Sequence, residues 1–255
     1  MAGGGHGVHQ LFVPRRSPVH ALPAHVKLAA AAAFVLVVVS TPYRQLWAFA
    51  GYAVLLVGTS VIARIPLLML GRRLVVEVPF VAFAVLLPFV SRGEKVDVVG
   101  VSLSISGLWG AWNVLAKATL GVATSVLLAS TTELRALVAG LDRLRMPTTV
   151  VQIMMLMIRY LDVIVDESRR MHLARVSRGF VARDLRQIPT LARSLSPLFV
   201  RSFERGERVH LAMVSRGYTG RMPLATGPAR PAAWAVGFVL PGAAGCVAAA
   251  ARIVG

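Results

Sequence analysis

Cysteine is nearly absent: Cys246 stands alone among 255 residues. No disulfide framework and no multi-cysteine metal site can be built from it, and its place in an apolar run reads as a small packing residue. Acid is scarce too, with 11 Asp and Glu against 28 Lys and Arg, a formal net charge of +17. Lysine is limited to Lys27, Lys95 and Lys117, none of which follows a glycine, so there is no G-x-x-x-x-G-K-[ST] phosphate loop. H-E-x-x-H and G-x-S-x-G are also missing, and with them the signatures of a zinc peptidase and a serine hydrolase. Energised work by this chain therefore needs another subunit to hydrolyse nucleotide. Charge of either sign amounts to 15 % of residues, against about 25 % in an ordinary soluble domain.

What fills the space is apolar, 56 % of the chain. A soluble fold of this size cannot hide that much surface, so a bilayer is the expected solvent. Charge-poor runs at 28–43, 45–63, 78–91, between 97 and 130 (interrupted by Lys117), and at 231–251 read as five spans. The first and third are short and need flanking help. Each must be helical, because lipid offers backbone groups no partner. The expected fold class is an all-α integral membrane protein. Its segments are an N-terminal piece 1–27, spans one to four in 28–130, a helical insert 131–230, and a last span in 231–255. The alternating pattern around Val96 to Ile105 suggests a short hairpin between spans three and four.

Arginine orients these spans. The insert carries 17 Arg and no Lys against 8 acids, and Arg15, Arg16, Lys27, Arg64, Arg72 and Arg73 flank other spans. Alternating crossings put all these segments on one face, cytoplasmic by the positive-inside rule, with the N-terminus inside and the C-terminus outside. The twin Arg15-Arg16 reads as an anchor flank and not as an export signal, since no cleavage site follows.

Within the insert, Thr131-Thr132-Glu133 resembles a helix start and Pro147 a stop or kink. From 148 to 178 the pattern is helical, with Val150, Val151, Met154, Met157, Ile158, Leu161, Ile164 and Val165 on one stripe. Two further helical segments are expected around 188–194 and from Pro197 to Arg216. The most informative feature is a repeat. His172-Leu173-Ala174-Arg175-Val176-Ser177-Arg178-Gly179-Phe180 returns 38 positions later as His210-Leu211-Ala212-Met213-Val214-Ser215-Arg216-Gly217-Tyr218, seven of nine residues identical. Upstream, Asp166 matches Glu204 and Arg170 matches Arg208. Each copy can cap a helix, glycine adopting the left-handed turn and arginine meeting the negative end of the macrodipole. Capping does not require nine matched positions twice. Two matched modules suit a two-fold symmetric partner, and guanidinium suits a groove lined by carbonyls and carboxylates.

At this point the sequence resembles a known family. Paired Ser-Arg-Gly helix ends on an insert after four spans and before a fifth are similar to the Ala-Arg-Gly motifs of the transmembrane T component of energy-coupling factor (ECF) transporters. The stretches 199–218 and 17–28 are particularly similar to its cobalt-type member, CbiQ, and the likeness covers most of 10–223. The resemblance implies a non-catalytic subunit without cofactor in the cell membrane. It implies docking of Ser177, Arg178, Gly179, Ser215, Arg216 and Gly217 on an ABC-type ATPase dimer, with Arg170, Ala174, Arg208 and Ala212 supporting the coupling helices. It also implies a substrate-binding membrane subunit, the cobalt-type S component, with a small accessory membrane subunit as a further candidate. The departure is serine at 177 and 215 where alanine is frequent, a small change. Cobalt(II) uptake linked to cobalamin biosynthesis is the substrate inference, with nickel and vitamin systems as alternatives.

Other readings are weaker. His6, His9, His20 and His25 crowd the N-terminus without ligand spacing, so no metal site is assigned. Lys117 and Glu77 are the ionisable residues nearest the bilayer core. Structural roles are expected for both, Glu77 being four residues from Arg73. Met146, Met154, Met155, Met157 and Met171 offer adaptable packing. A lipid-modifying enzyme lacks an acid–base or metal constellation, and a nucleic-acid partner is not assigned to the basic insert.

Overall fold

The computed structural model describes residues 12–15, 17–91, 95–98, 101–179, 188–220 and 231–254. These form two units, 12–141 with 231–254, and 142–220.

In the first unit, α1 (Pro18–Ala21) leads into α2 (Ala24–Ser40), α3 (Leu46–Ile62) and α4 (Leu67–Arg73). A 3-10 turn at Leu74–Glu77 joins α4 to α5 (Val78–Val90). Next come the strands β1 (Lys95–Val98) and β2 (Val101–Ser104), then α6 (Ile105–Thr131) and α7 (Leu134–Arg143). The unit closes with α10 (Pro231–Gly237) and α11 (Val239–Val254). The expected hairpin is present as an antiparallel pair, Val96 opposite Leu103 and Val98 opposite Val101. Apart from it, the described secondary structure is helical.

All five charge-poor runs contain helix, the fourth from Ile105 onward, after the hairpin. α6 has 27 residues, roughly 40 Å of helix, more than a hydrocarbon core of about 30 Å requires. α2, α3 and the helical run Val75–Val90 are shorter, and α10 with α11 would cross as a pair bent by 43° at Phe238. The core joins α2, α3, α6 and α11 around Phe34, Tyr52, Leu56, Leu120, Leu127 and Ala244. Phe34 and Phe49 both meet Tyr52 edge-on at 6.1 Å between ring centroids. The Thr41 hydroxyl donates to Val37 O, so the Tyr52 hydroxyl donates to Thr41 Oγ1 at 2.8 Å. Leu36, Val54, Phe83 and Phe89 are exposed, as lipid-facing side chains must be. Cys246 is exposed on α11, not packed; Ala244 and Val247 on the same helix turn inward.

Charges near the apolar helices have specific partners. Lys117 Nζ donates to Val39 O at 2.8 Å, and Glu77, buried, accepts from Thr119 Oγ1 at 2.5 Å. The C-terminal end of α6 is held by three donors. Val13 N–H reaches Ser130 O at 3.0 Å, Arg73 Nη1 reaches Ser130 Oγ at 2.7 Å, and Lys27 Nζ reaches Thr131 O at 2.8 Å. Cations there also oppose the negative end of the helix dipole. His20 belongs to the same region. Its Nε2–H donates to Val13 O at 3.1 Å while Nδ1 accepts from Ser17 Oγ at 2.7 Å. Burial holds this imidazole below its ordinary value of 6.5, and the charges of Lys27 and Arg15 push the same way.

The second unit holds α8 (Thr148–Ser177) and α9 (Ile188–Val214). α9 corrects the sequence reading: the two expected segments are one helix running through Pro197. Proline forfeits one backbone hydrogen bond there, and the helix continues on both sides.

Two predictions arise from this packing. A Cβ on Gly107 would lie 2.6 Å from Pro88 Cα and 2.8 Å from Leu87 O, where α5 and α6 touch. Gly107→Ala should destabilise by about 1–3 kcal/mol, whereas Gly121→Ala, with open space around its Cβ, should not; thermal melting in detergent separates them. For His20, the unfolded chain binds the proton first as pH falls. The stability owed to the neutral ring is complete above 6.5 and declines below it. Melting between about pH 7.5 and about pH 5 should fall more steeply for the wild type than for His20→Gln, and equal slopes would assign the titration elsewhere.

Candidate functional site

The repeat lies at the two helix ends of the second unit. α8 starts after Pro147 and runs for 30 residues without proline or glycine, to Ser177. There Arg178 N–H donates to Arg175 O at 3.1 Å and Gly179 N–H to Val176 O at 2.9 Å, with Gly179 at φ +77. α9 ends in the same way. Arg216 N–H donates to Met213 O at 3.1 Å and Gly217 N–H to Val214 O at 2.9 Å, with Gly217 at φ +83. Tyr218 N–H completes the Schellman pattern by reaching Met213 O at 3.0 Å. Positive φ strains any L side chain, which accounts for glycine at both positions.

Side chains repeat the match. Ser177 Oγ donates to Ala174 O at 3.1 Å and Ser215 Oγ to Ala212 O at 3.0 Å. Ala174 and Ala212 thus act through their carbonyls. Arg170 Nε lies 3.7 Å from Glu167, and Arg208 Nη1 3.9 Å from Glu204, one turn back in each helix. Exposed pairs of this kind contribute little stability, but they orient the last turns. Ser177, Arg178, Gly179, Ser215, Arg216 and Gly217 are all exposed. Neither Arg178 nor Arg216 forms an ion pair among the described residues.

One exchange in the repeat carries structural weight. Tyr218 Oη donates to Gln152 Oε1 at 2.6 Å, and Gln152 Nε2 donates to Gly220 O at 2.7 Å, with Gly220 at φ +89. Gln152 is buried near the start of α8. The end of α9 is therefore moored to one end of α8, while Arg178 caps the other. The 26 residue steps from Gln152 to Arg178 make roughly 39 Å of helix, so α8 sets the spacing of the two arginine ends. Phenylalanine at 180 has no hydroxyl for such a bond; its placement lies outside the described residues. α8 and α9 also join through Arg201 Nη1 and Glu167 Oε1 at 2.6 Å. Between them lies a cleft of about 530 Å³ whose α8 wall is Ile153, Leu156, Met157, Tyr160, Val163 and Ile164. This corrects the expected stripe, with which it shares Met157 and Ile164. The first half of α8 is apolar around most of its circumference, so periodicity alone does not select a face.

A scan against protein families matches residues 15–224 to CbiQ, the cobalt transport protein family. The chain belongs to the CbiQ family. The matched stretch contains both Ser-Arg-Gly ends and the first four charge-poor helices. A curated relative, the "Putative fused cobalt transport protein CbiMQ" of Methanocorpusculum labreanum, is 26 % identical over 199 residues. The alignment takes in 75 % of this chain and 33 % of the relative, so the chain spans about a third of that protein's length. This CbiQ-family chain is an all-α membrane protein.

Among the described residues no group of three or more His, Cys, Asp or Glu could hold a metal ion. His20 is engaged with Ser17 and Val13, and His25 meets Trp234 at a tilt, with 5.6 Å between ring centroids. His6 and His9 lie outside the described residues.

Tyr218→Phe keeps the ring and removes the mooring bond, a net contribution of about 1 kcal/mol. Hydrogen exchange should then show weaker amide protection across 213–220 with unchanged protection across 171–179. Equal protection in variant and wild type would show that Gln152 does not hold this end.

Proposed function

We propose that this CbiQ-family chain is the transmembrane coupling subunit of an ECF-type importer for cobalt(II). It passes motion from a separate ABC-type ATPase dimer to a substrate-binding membrane subunit, and it has no catalytic centre of its own. The observation that carries this reading is the matched backbone turn and matched serine bond of two exposed Ser-Arg-Gly helix ends, set apart by one long helix. Arg178 and Arg216 each dock in a groove on one ATPase protomer. Ser177, Gly179, Ser215 and Gly217 shape the turns, and Arg170, Ala174, Arg208 and Ala212 hold the last helical turns. A guanidinium without an ion pair among the described residues keeps its donors for a partner.

The N-terminus and 131–230 lie in the cytoplasm and five crossings span the membrane, as the arginine distribution favours. α8 is long and apolar enough to cross a bilayer by length and composition. Its second half nevertheless carries Asp162, Asp166, Glu167, Arg169 and Arg170, which oppose burial in lipid. Read as a coupling helix, it leaves Ile153, Met157 and Ile164 exposed, and α9 adds Phe199, Val200 and Phe203. Exposed apolar side chains on both helices suit a membrane subunit partner. The fused CbiMQ relative, which combines an M and a Q part by name, supports a CbiM-type partner for this chain.

The test is co-purification with the ATPase pair and uptake of radioactive cobalt. Charge-assisted hydrogen bonds contribute about 1.5–3 kcal/mol, so Arg178→Ala and Arg216→Ala should each weaken ATPase association about tenfold or more. The double variant should abolish uptake, and arginine-to-lysine changes should recover part of the association. Normal assembly and transport in the double variant would refute the docking role.

A further inference from the structure

The membrane unit contains a slot of about 540 Å³ at the end of the bundle where α2 and α11 begin and α3, α6 and α10 finish. Its walls are apolar, among them Ala30, Leu55, Gly58, Leu127, Leu240 and Ala243. The hydroxyls that line it are already used within their own helices. Thr59 donates to Leu55 O and Leu56 O, Thr124 to Leu120 O, and Thr131 to Leu127 O. Among the described residues Lys27 is the one charged residue lining it.

Lys27 is an unusual wall residue. It is 8 % exposed, and its ammonium donates to Thr131 O at 2.8 Å. No carboxylate pairs with it among the described residues. An ammonium has three donors, and a buried cation without a counter-charge is costly. The surroundings add positive charge. Arg73 sits on Ser130 Oγ, next to the carbonyl that Lys27 holds, and both Lys27 and Arg15 act on His20. Glu133, the acid nearest in sequence, is exposed and ion-pairs with none of them.

We propose that this slot binds an anionic phospholipid of the surrounding bilayer, its head group on Lys27 and an acyl chain between α2, α3, α6 and α11. Charge complementarity selects this occupant. A free anion would leave the apolar walls unfilled, and a zwitterionic lipid would bring its own cation beside Lys27, which has no carboxylate partner among the described residues. On the orientation proposed above, the lipid comes from the cytoplasmic leaflet; the site itself does not depend on that reading. The contact with Thr131 O fixes the ammonium at the mouth, and the remaining two N–H groups take phosphate oxygens. Lipid would then join α2, α6 and α11 where no described acid pairs with Lys27.

The experiment uses the full chain in nanodiscs of phosphatidylglycerol or phosphatidylcholine, read by thermal melting and by native mass spectrometry after extraction. The wild type should melt higher in phosphatidylglycerol and retain that lipid. Lys27→Gln should lose the preference, with retention down on the order of tenfold. Because Lys27 also holds the end of α6, a second variant keeps it: Gly58→Phe, which fills the slot from a position with open space around its Cβ. It should expel the lipid. Lys117→Gln, whose lysine bonds Val39 O elsewhere, should retain it. Equal lipid retention in wild type, Lys27→Gln and Gly58→Phe would overturn the proposal. So would inorganic phosphate stabilising the protein as well as the lipid does. Loss of lipid leaves the Arg178 and Arg216 association assay untouched, so failure of either reading is distinguishable from failure of the other.

Discussion

The two arginine ends depend on one long helix and one hydrogen-bonded mooring. α8 is a rod with a Ser-Arg-Gly turn at one end and, near the other, a buried Gln152 that grips Tyr218 and Gly220. The second Ser-Arg-Gly turn sits immediately before Tyr218. Because an α-helix rises by a fixed increment per residue, the chain length between Gln152 and Arg178 becomes a distance between two guanidinium groups. Neither turn needs the other for its local geometry, since glycine and the backbone hydrogen bonds specify each. What α8 adds is their spacing, and spacing is what a partner with two equivalent sites would read.

The membrane unit meets a different constraint, the absence of water. Backbone groups are satisfied by helix formation, and side chains with polar atoms return them to their own helix, as Thr59, Thr124 and Thr131 do. Cations sit where carbonyls end a helix. Lys27 and Arg73 at the last turn of α6 are examples, and Val13 contributes its backbone donor to the same turn. Close approach is obtained by removing a side chain altogether: Gly107 meets the backbone of α5 at Pro88 and Leu87. The fold therefore tolerates many apolar exchanges on its lipid-facing surface and few at these contacts.

Much of this architecture is legible in the amino-acid sequence. Charge-poor runs mark the five apolar helical regions because lipid excludes charge whatever the tertiary arrangement. The repeat marks both helix ends because Ser-Arg-Gly encodes its turn locally. Long-range features leave no such trace. Gln152 is a lone amide in an apolar stretch, and only the return of Tyr218 across 66 positions gives it meaning. Pro197 reads as a boundary, yet a helix with enough bonds on either side passes through it. Periodicity places the stripe of α8 on a neighbouring face because that helix is apolar nearly all round. Cys246 reads as core because its neighbours are apolar, but alternate helix faces differ in burial. The slot beside Lys27 has no sequence signal, since it is made of residues from several helices.

The spacing itself offers the most direct measurement. Spin labels at Ser177→Cys and Ser215→Cys, in a Cys246→Ser background, report the distance between the two turns by pulsed electron resonance. A narrow distribution centred on the order of 40 Å is expected. A broad distribution, or one centred below about 25 Å, would contradict a rod that holds the two arginine ends apart.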